Sequence, residues 1–580
     1  MISNTLLLLS LYFCLTRSLS LFSTGGGSYG PTSSSCPANR IGTRLANSLS
    51  QEEADWVNKR NKITDQNLID FLKHANMQDF DPESYIKSLD RSIKIGLAFS
   101  GGGYRAMLCG AGQFAALDKR TQGAWENGLG GLVQSSTYTV GLSGGSWLVG
   151  TIALNEFTDV DQIIRENKLW NLAKPVFMPG GLNILETLSV LTKVELDVLQ
   201  KWTSGFGVSI TDVWGRVLSY QFFNKLKDFG AGLTWSSITN TNAFANHNMP
   251  FPIVIALGRE PGTYIISTNS TVIEFNPYEM GSWDPTLYQF TPLQYLGTEY
   301  NNGRPRGTCV TGFDNAGFIV GTSSSVFNLV FLKILQTLPW PVSTILAKIS
   351  DLLDRKDDIA IYSPNPFRNT RAAAKKISGS DTLYLVDGGE DSQNIPFAPL
   401  LQPERDVDVI FAYDNSADDS NSWPNGAAIR ATFQRQFNKQ GLNASMFPYV
   451  PDASTFENLK LNSKPMFFGC NAKDLIKLQV TTKNPFSIYS SPLIVYTANR
   501  KFSYSSNTPT FQLIYLNSDR NMMIQNGFEV ASRLNSTLDS EWQACVGCAI
   551  IRREQERQGQ EQTEQCKRCF KKYCWNGPSV

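Results

Sequence analysis

Short apolar runs alternate with longer apolar segments along the chain, and a glycine-rich turn separates the members of two such pairs. The apolar run at residues 95–100 precedes an apolar segment at 104–118, and the β-prone residues Thr137-Tyr-Thr-Val140 precede another at 147–154. An uninterrupted apolar run of this length predicts a buried strand, and a longer segment predicts a buried helix. The pattern therefore predicts two strand–turn–helix units.

Two further apolar runs, at residues 383–386 and 407–412, predict two more buried strands. Strands that alternate with helices indicate an α/β fold with a mostly parallel central sheet and helices on both faces. Binding sites in such sheets collect at the carboxyl ends of the strands. No internal repeat interrupts the pattern, so we expect residues 41–580 to form one large domain.

The first 20 residues differ from the rest of the chain. The apolar run from Leu6 to Leu15 is too short to cross a bilayer, and the small-x-small pattern of residues 18–20 is typical of signal-peptidase cleavage. We expect residues 1–20 to be a secretory signal peptide, with an uncleaved anchor or a buried strand as the alternatives. Residues 21–40 are expected to form an extended arm, because most of them are Gly, Ser, Thr or Pro.

A secreted chain can carry glycans, and Asn-x-Ser/Thr triplets predict glycosylation at Asn269, Asn443 and Asn535. Residues 576–580 carry no apolar tail, so no GPI anchor signal is expected. The predicted location is extracellular, and retention in a cell wall or periplasmic space stays open.

The chain has ten cysteines. Cys14 lies in the predicted signal peptide, and Cys109, in an apolar segment, is expected to stay a buried free thiol. In an oxidising compartment the others predict four disulfides, with open pairing, among Cys36, Cys309, Cys470, Cys545, Cys548, Cys566, Cys569 and Cys574. The cysteine-rich segment at about residues 540–575 also has the spacing of a four-cysteine zinc site, which is the alternative.

Charge and one long apolar segment limit the possible partners. With 52 basic and 51 acidic residues, no overall field draws the chain to nucleic acid or to an anionic membrane, and neither a nucleic-acid nor a protein partner is predicted. Residues 326–349 are strongly apolar, but Lys333 and two prolines argue against a membrane span. We predict a core helix and a turn there, with a lid that meets lipid as the alternative.

Ser143 lies in the sequence Gly141-Leu-Ser-Gly-Gly145, between a predicted strand and a predicted helix. A nucleophilic serine on a sharp strand-to-helix turn needs glycine on both sides, because larger side chains would collide with the strand and the helix. The start of a helix also favours negative charge. Ser143 is therefore a candidate nucleophile, and an ordinary glycine turn is the alternative.

A second glycine turn, Ser100-Gly-Gly-Gly-Tyr-Arg105, lies between the other predicted strand and helix. Free N–H groups of consecutive glycines can hold a phosphate or an oxyanion. The turn lacks the Gly-Lys-Ser/Thr ending of a nucleotide-binding loop, so an oxyanion hole is the better interpretation. Arg105 is either a phosphate ligand or a buried structural arginine.

The candidate proton acceptor is an aspartate or a histidine. Asp387 directly follows a predicted strand, and the only histidines, His74 and His247, both precede it. With Asp387 as the acid, no histidine follows in the order Ser, acid, His of an α/β-hydrolase triad. A Ser143–Asp212–His247 order is the alternative, but neither Asp212 nor His247 lies in a site motif, so a Ser143–Asp387 dyad is the leading hypothesis. A carboxylate base stays ionised at lower pH than histidine unless burial raises its pKa.

Three motifs in this order resemble the fungal phospholipase B (lysophospholipase) family, which is related to the group IV cytosolic phospholipases. They are Ser100-Gly-Gly-Gly-Tyr-Arg-Ala-Met107, Gly141-Leu-Ser-Gly-Gly-Ser-Trp147 and Leu385-Val-Asp-Gly-Gly-Glu-Asp-Ser-Gln-Asn-Ile-Pro396. The likeness extends from Cys36 to Trp575. It implies a patatin-like or cytosolic-phospholipase-like catalytic domain with insertions.

The resemblance also implies roles for individual residues. They are the nucleophile for Ser143, the dyad acid for Asp387, oxyanion donors for Gly102 and Gly103, and the phosphate ligand for Arg105. It further implies hydrolysis of fatty-acyl esters of lysophospholipids and phospholipids, with transacylation open, at lipid aggregates or a membrane surface.

No cofactor or metal is implied by this resemblance. Calcium should not be required, because the chain leaves no room for the calcium-binding membrane domain of the cytosolic relatives. Two competing hypotheses remain. One is a general carboxylesterase or lipase with a Ser–His–Asp triad, and the other is an inactive lipid-binding or cell-wall protein.

Overall fold

The structure, a computed structural model, describes residues 27–37, 42–263, 267–329, 333, 340–354 and 357–577. Its strands are β1 Thr32–Ser34, β2 Arg44–Leu45, β3 Ile95–Phe99, β4 Tyr138–Gly141, β5 Phe251–Gly258, β6 Val272–Phe275, β7 Glu279–Ser282, β8 Gln289–Pro292, β9 Tyr300–Asn301, β10 Arg304–Pro305, β11 Cys309–Thr311, β12 Ala360–Tyr362, β13 Leu383–Asp387, β14 Val409–Asp414, β15 Met466–Phe468 and β16 Leu493–Ala498.

The α-helices of the same residues are numbered in chain order. They are α1 Gln51–His74, α2 Pro82–Lys87, α3 Gly103–Leu117, α4 Ala124–Asn127, α5 Leu132–Ser135, α6 Gly144–Leu154, α7 Val160–Glu166, α8 Ile184–Thr203, α9 Ile210–Phe222, α10 Asn242–Ala245, α11 Ala316–Thr322, α12 Val342–Leu352, α13 Lys375–Ser378, α14 Ala427–Arg435, α15 Ala453–Asn458, α16 Ile476–Thr482, α17 Asn517–Ser532, α18 Trp542–Gln558 and α19 Glu564–Tyr573. The two predicted strand–turn–helix units are confirmed as β3–α3 and β4–α6.

Most strands join one mixed sheet in the order β15-β16-β14-β3-β4-β5-β6-β7-β8-β2. The centre of the sheet is parallel, since β16, β14, β3, β4 and β5 run in one direction. Antiparallel strands extend it on both sides. The predicted α/β class is confirmed, and the pairings of the outer strands of this sheet are antiparallel.

The central strands are covered on both faces. Every residue of β3, β4, β14 and β16 is buried, and consecutive strand residues point to opposite faces. Helix α3 packs against both α6 and α17. Within the described ranges, no helix combines the length and the apolar character that a membrane crossing requires.

The pairing of β5 brings two strand ends together. Val254 pairs with Gly141 of β4 and also with Phe275 of β6, so β4 and β6 lie on opposite edges of β5. Two residues further, Ala256 pairs with Asp387 of β13 and again with β6. Strands β4 and β13 therefore share one edge of β5 and approach each other end to end. The residues that follow β4 lie next to the last residue of β13.

The eight cysteines predicted to pair do so, and the structure supplies the pairing. The disulfides are Cys36–Cys309, Cys470–Cys574, Cys545–Cys569 and Cys548–Cys566. Cys109 is free and buried, as predicted. The four sulfurs of the zinc alternative are bonded to each other in two disulfides that join α18 to α19.

The predicted signal peptide, residues 1–20, lies outside the described residues, and so does part of the arm at residues 21–40. In the described part of the arm, β1 pairs with β11. Of the predicted glycosylation sites, Asn269 and Asn535 are exposed, whereas Asn443 is half-buried and its side-chain amide donates to a backbone carbonyl at 3.2 Å.

The apolar segment at residues 326–349 is described only in part. Phe327 is buried, and so are Leu346 and Ile349 of α12, whereas Trp340 is 79% exposed. The described part therefore combines core positions with an exposed tryptophan. Residues 330–332 and 334–339, on which the choice between a core helix and a lid depends, lie outside the described residues.

Candidate active site

Ser143 occupies the tight turn between β4 and α6. Its φ of 48° and ψ of −120° are unusual for a residue with a side chain, as expected for a nucleophile on a strained turn. The serine is the N-cap of α6, so the positive end of that helix lies at its position. A Cβ at Gly144 would lie 2.1 Å from the carbonyl oxygen of Gly103. The residue after the serine must therefore be glycine.

The acid suggested by the sequence is hydrogen-bonded to this serine. Ser143 Oγ donates to Asp387 Oδ2 at 3.1 Å, and the N–H of Gly389 donates to Oδ1 at 2.9 Å. Burial raises the pKa of Asp387 to about 7, and the hydrogen bonds from Gly389, Ser143 and Val326 offset this rise only in part. A carboxylate with such a pKa is a stronger base than a surface aspartate.

The glycine turn interpreted as an oxyanion hole adjoins the serine. A Cβ at Gly101 would lie 3.1 Å from Cβ of Ser143. Gly102 has a φ of 132°, and Gly103, with a φ of 64°, begins α3. The N–H groups of a first helical turn have no partner within the helix and can bind an oxyanion. Asn394 Nδ2 donates to the carbonyl oxygen of Gly101 at 3.1 Å, which ties the turn to the segment after the acid.

Arg105 is buried in the first turn of α3. Its Nε donates to the carbonyl oxygen of Asn415 at 2.9 Å, and Nη1 donates to that of Thr508 at 2.7 Å and to Thr510 Oγ1 at 3.1 Å. These bonds match the structural alternative. A Cβ at Gly102 would lie 2.3 Å from Nη2, so this nitrogen borders the glycine turn. A phosphate ligand would act from that nitrogen.

Asp212, the acid of the triad alternative, is occupied elsewhere. Lys201 Nζ donates to its Oδ1 at 2.5 Å, and the hydroxyl of Tyr29 donates to the same oxygen at 2.8 Å. The N–H of Ser209 donates to Oδ2 at 2.8 Å, which caps α9. These contacts join α8, α9 and the N-terminal arm to one another, so the role of Asp212 is structural.

The two histidines are also separate from the serine hydroxyl. The ring of His247 lies 5.4 Å from the ring of Trp56, and His74 Nε2 lies 2.6 Å from the carbonyl oxygen of Trp125. The hydroxyl of Ser143 is bonded to the aspartate at the end of β13 instead. The structure therefore does not bring the Ser143–Asp212–His247 alternative together.

Three consecutive serines, residues 323–325, contact the site although no sequence motif predicted them. The N–H of Ser143 donates to the carbonyl oxygen of Ser323 at 3.0 Å and to its Oγ at 3.1 Å. The N–H of Asp387 donates to Ser325 Oγ at 3.0 Å. One sequence signal was present: a polar run between two apolar segments must find hydrogen-bond partners if it is buried.

A serine on a strained turn, beside a glycine-lined loop and a buried carboxylate on an α/β sheet, defines the class of α/β acyl hydrolases. The sequence model of a family described as "Lysophospholipase catalytic domain" matches residues 95–579 of the chain. The chain belongs to this lysophospholipase family and is a hydrolase, and the resemblance seen in the sequence is confirmed.

Relatives agree with this assignment. Lysophospholipase 3 of Candida albicans is 50% identical over 562 residues, which cover 95% of this chain and 74% of the relative. Lysophospholipase 1 of Saccharomyces cerevisiae is 47% identical over 580 residues, which cover 97% of this chain and 86% of the relative. Human GIVD cytosolic phospholipase A2 has a similar fold, with a TM-score of 0.64 and 16% identity over 89% of this chain and 69% of that one.

Proposed function

We propose that the protein is a secreted lysophospholipase and phospholipase B that hydrolyses fatty-acyl esters through a Ser143–Asp387 dyad. The observation that carries the proposal is the 3.1 Å hydrogen bond from Ser143 Oγ to Asp387 Oδ2, on a strained strand-to-helix turn. Relatives named lysophospholipases support the substrate class. The products would be a fatty acid and a glycerophosphodiester.

The first half-reaction forms an acyl-enzyme. The Asp387 carboxylate accepts the proton of Ser143 Oγ while this oxygen attacks the acyl carbonyl carbon. The carbonyl oxygen becomes an oxyanion, to which the N–H groups of Gly102 and Gly103 donate hydrogen bonds. The ester C–O bond then breaks, and the departing glycerol oxygen takes the proton from Asp387.

The second half-reaction regenerates the enzyme. Asp387 accepts a proton from a water molecule, and the resulting hydroxide attacks the acyl carbon under the same oxyanion stabilisation. The bond between the acyl carbon and Ser143 Oγ breaks, and the proton held by Asp387 returns to the serine. Attack by the hydroxyl of a second lipid in place of water would give transacylation.

Two further contacts with lipid belong to the proposal. Arg105 would pair through Nη2, beside Gly102, with the substrate phosphate. Trp340 and Leu329, which are 79% and 45% exposed, would meet a lipid aggregate or membrane surface, because tryptophan suits the boundary between water and lipid. Secretion is supported by four disulfides, which persist in oxidising compartments, and glycans would then be attached at Asn269, Asn443 and Asn535.

Product analysis with lysophosphatidylcholine tests the proposal. Release of fatty acid together with glycerophosphocholine is expected from the wild type and not from Ser143→Ala. A fluorophosphonate probe should label the wild type at Ser143. Ser136→Ala is the matched control, since Ser136 is also buried and its hydroxyl, the only group that the substitution removes, donates to the carbonyl oxygen of Leu132 in its own helical turn. Lipid binding without labelling or turnover would instead identify an inactive lipid-binding protein.

A further inference from the structure

We infer that Ser323 and Ser325 are positioning residues that hold the nucleophile Ser143 and the acid Asp387 at a fixed distance from each other. The inference rests on the proposed Ser143–Asp387 dyad and adds to it. The two serines lie in the turn that follows α11, and neither hydroxyl takes part in the chemical steps. Their role would be to fix two backbone segments that come from different parts of the chain.

Ser323 supports the nucleophile. Its Oγ donates to the carbonyl oxygen of Ile255 on β5 at 2.7 Å and accepts from the N–H of Ser143 at 3.1 Å. A hydroxyl has only one proton to donate. Because the Ser323 hydroxyl donates this proton to β5, it can only accept from the N–H of Ser143. The turn that carries the nucleophile is thereby tied to a central strand. Because the N–H of Ser143 is occupied, it does not serve the oxyanion.

The same turn supports the acid. Ser325 Oγ accepts from the N–H of Asp387 at 3.0 Å. The carbonyl oxygen of Ser323, which accepts from Ser143 at 3.0 Å, also accepts from the N–H of Gly388 at 3.2 Å. One carbonyl oxygen thus contacts both the nucleophile and the residue after the acid. A shift of this turn would change the distance between the two side chains.

Ser324 keeps the turn from shifting. Its Oγ accepts from Nε1 of Trp147 and of Trp214, both at 3.0 Å, and donates to the carbonyl oxygen of Val320 at 2.7 Å. Both indoles are buried, and Trp147 belongs to α6, the helix that follows the nucleophile. All three serines of residues 323–325 are 0% exposed, so the loss of one bond leaves a buried group unpaired.

Positioning of this kind is needed because the site is strained. The φ of Ser143, 48°, persists only if surrounding contacts hold it. A displacement of about 1 Å between reacting groups can lower a rate about a hundredfold. The contacts of Ser323 and Ser325 add to the helix bonds of Ser143 and the strand pairing of Asp387, and they join both members of the dyad to one turn.

Kinetics of Ser325→Ala, normalised to the active fraction found by fluorophosphonate titration, test the inference. We expect kcat on lysophosphatidylcholine to fall about tenfold to a hundredfold, with KM within about twofold, because the substrate does not contact this hydroxyl. The hydrogen bond from Ser143 lowers the pKa of Asp387. If the substitution weakens this bond, the pKa should rise, and the acid limb of kcat/KM should move to higher pH. Ser325→Thr, which keeps the hydroxyl, should restore most of kcat, and Ser136→Ala should behave as wild type.

The inference is overturned if Ser325→Ala keeps kcat within about twofold and an unchanged acid limb, or if the threonine variant fails to restore kcat in folded protein. Ser323→Ala is a second test that does not depend on the folding of the first variant. Its expected loss is smaller, about threefold to tenfold, because the backbone carbonyl of residue 323 remains. Failure of the proposed function would be visible separately, as retained activity of Ser143→Ala or Asp387→Asn.

Discussion

Ser143 and Asp387 meet because β4 and β13 end against each other on one edge of β5. Gly141 pairs with Val254, and Asp387 pairs with Ala256, two residues further along the same strand. The sequence suggested Asp387 as the end of a strand in a parallel sheet, yet β13 is antiparallel to β5. The carboxyl end of β13 therefore reaches the site from the direction opposite to that of the parallel strands.

Asp387→Asn should be close to inactive, while His247→Ala and His74→Ala keep substantial activity. An amide of nearly the same shape cannot accept the serine proton, and neither histidine contacts Ser143. The measurement is kcat of the purified, folded variants on lysophosphatidylcholine. Normal turnover by Asp387→Asn together with an inactive His247→Ala would favour the Ser143–Asp212–His247 triad.

The activity of the wild type should fall below about pH 7. Burial raises the pKa of Asp387 to about 7, and the protonated acid cannot act as a base. The acid limb of kcat/KM should therefore lie near that pH rather than at the lower pH of an exposed carboxylate. Since histidine titrates in the same range, the profile supports the dyad only together with the mutants. An acid limb near pH 4 would contradict the buried environment of Asp387.

Asp387→Asn should also stabilise the fold, and more so at pH 8 than at pH 5. Burial raises the pKa of Asp387 in the folded protein to about 7, above the ordinary range of an aspartate. The folded state therefore binds more protons than the unfolded state between about pH 4 and about pH 7, and the stability of the fold falls as pH rises through this range. The asparagine variant lacks this loss. The measurement is the melting temperature of the wild type and of Asp387→Asn at pH 5 and at pH 8. An equal difference in melting temperature between the two proteins at both pH values would contradict the prediction.

Gly102→Pro removes one proposed oxyanion donor and should lower kcat by about two to three orders of magnitude. Gly102→Ala keeps the N–H, but its Cβ would lie 2.3 Å from Arg105 Nη2 at a φ of 132°, so distortion of the turn adds a loss of its own. Gly205→Ala is the control, because Gly205 has a φ of 87° and open space around it. Near-normal turnover by a folded Gly102→Pro variant would remove this turn from the mechanism.

Arg105→Lys should be damaging although the charge is kept. Lysine cannot bond the carbonyl oxygens of Asn415 and Thr508 and also present a planar fork to a phosphate. We expect a larger loss of kcat/KM on a phospholipid than on a neutral ester of equal chain length. Equal losses on the two substrates would leave Arg105 with a structural role alone.

Trp340→Ser should reduce activity on micelles more than on monomeric substrate, because Trp340 is 79% exposed. Val480→Ser is the matched control, since Val480 is 72% exposed on α16. Phe327, in the same apolar segment, is 1% exposed and stacks on Trp214 with ring centroids 5.4 Å apart. Its replacement by serine should lower stability and activity on both substrates alike. Equal effects of Trp340→Ser on micelles and monomers would exclude an interfacial role.

The sequence by itself determined the features that depend on neighbouring residues. Short apolar runs identified β3, β13 and β14, and β-prone residues identified β4. Glycines on both sides of Ser143 indicated a tight turn. All these signals are local. The histidine count, two in the whole chain, directed attention to an acid as the base. Family membership followed from three motifs in order.

Only the tertiary structure decided how distant segments meet. The direction of β13, the pairing of the eight cysteines and the contacts of residues 323–325 all join parts of the chain that lie far apart, such as Ser143 and Ser323, separated by 180 positions. A pattern of neighbouring residues does not show which residues of two distant segments will pair. A buried serine must find hydrogen-bond partners, but which partners it finds is set by the packing of β5, α6 and α11 around it.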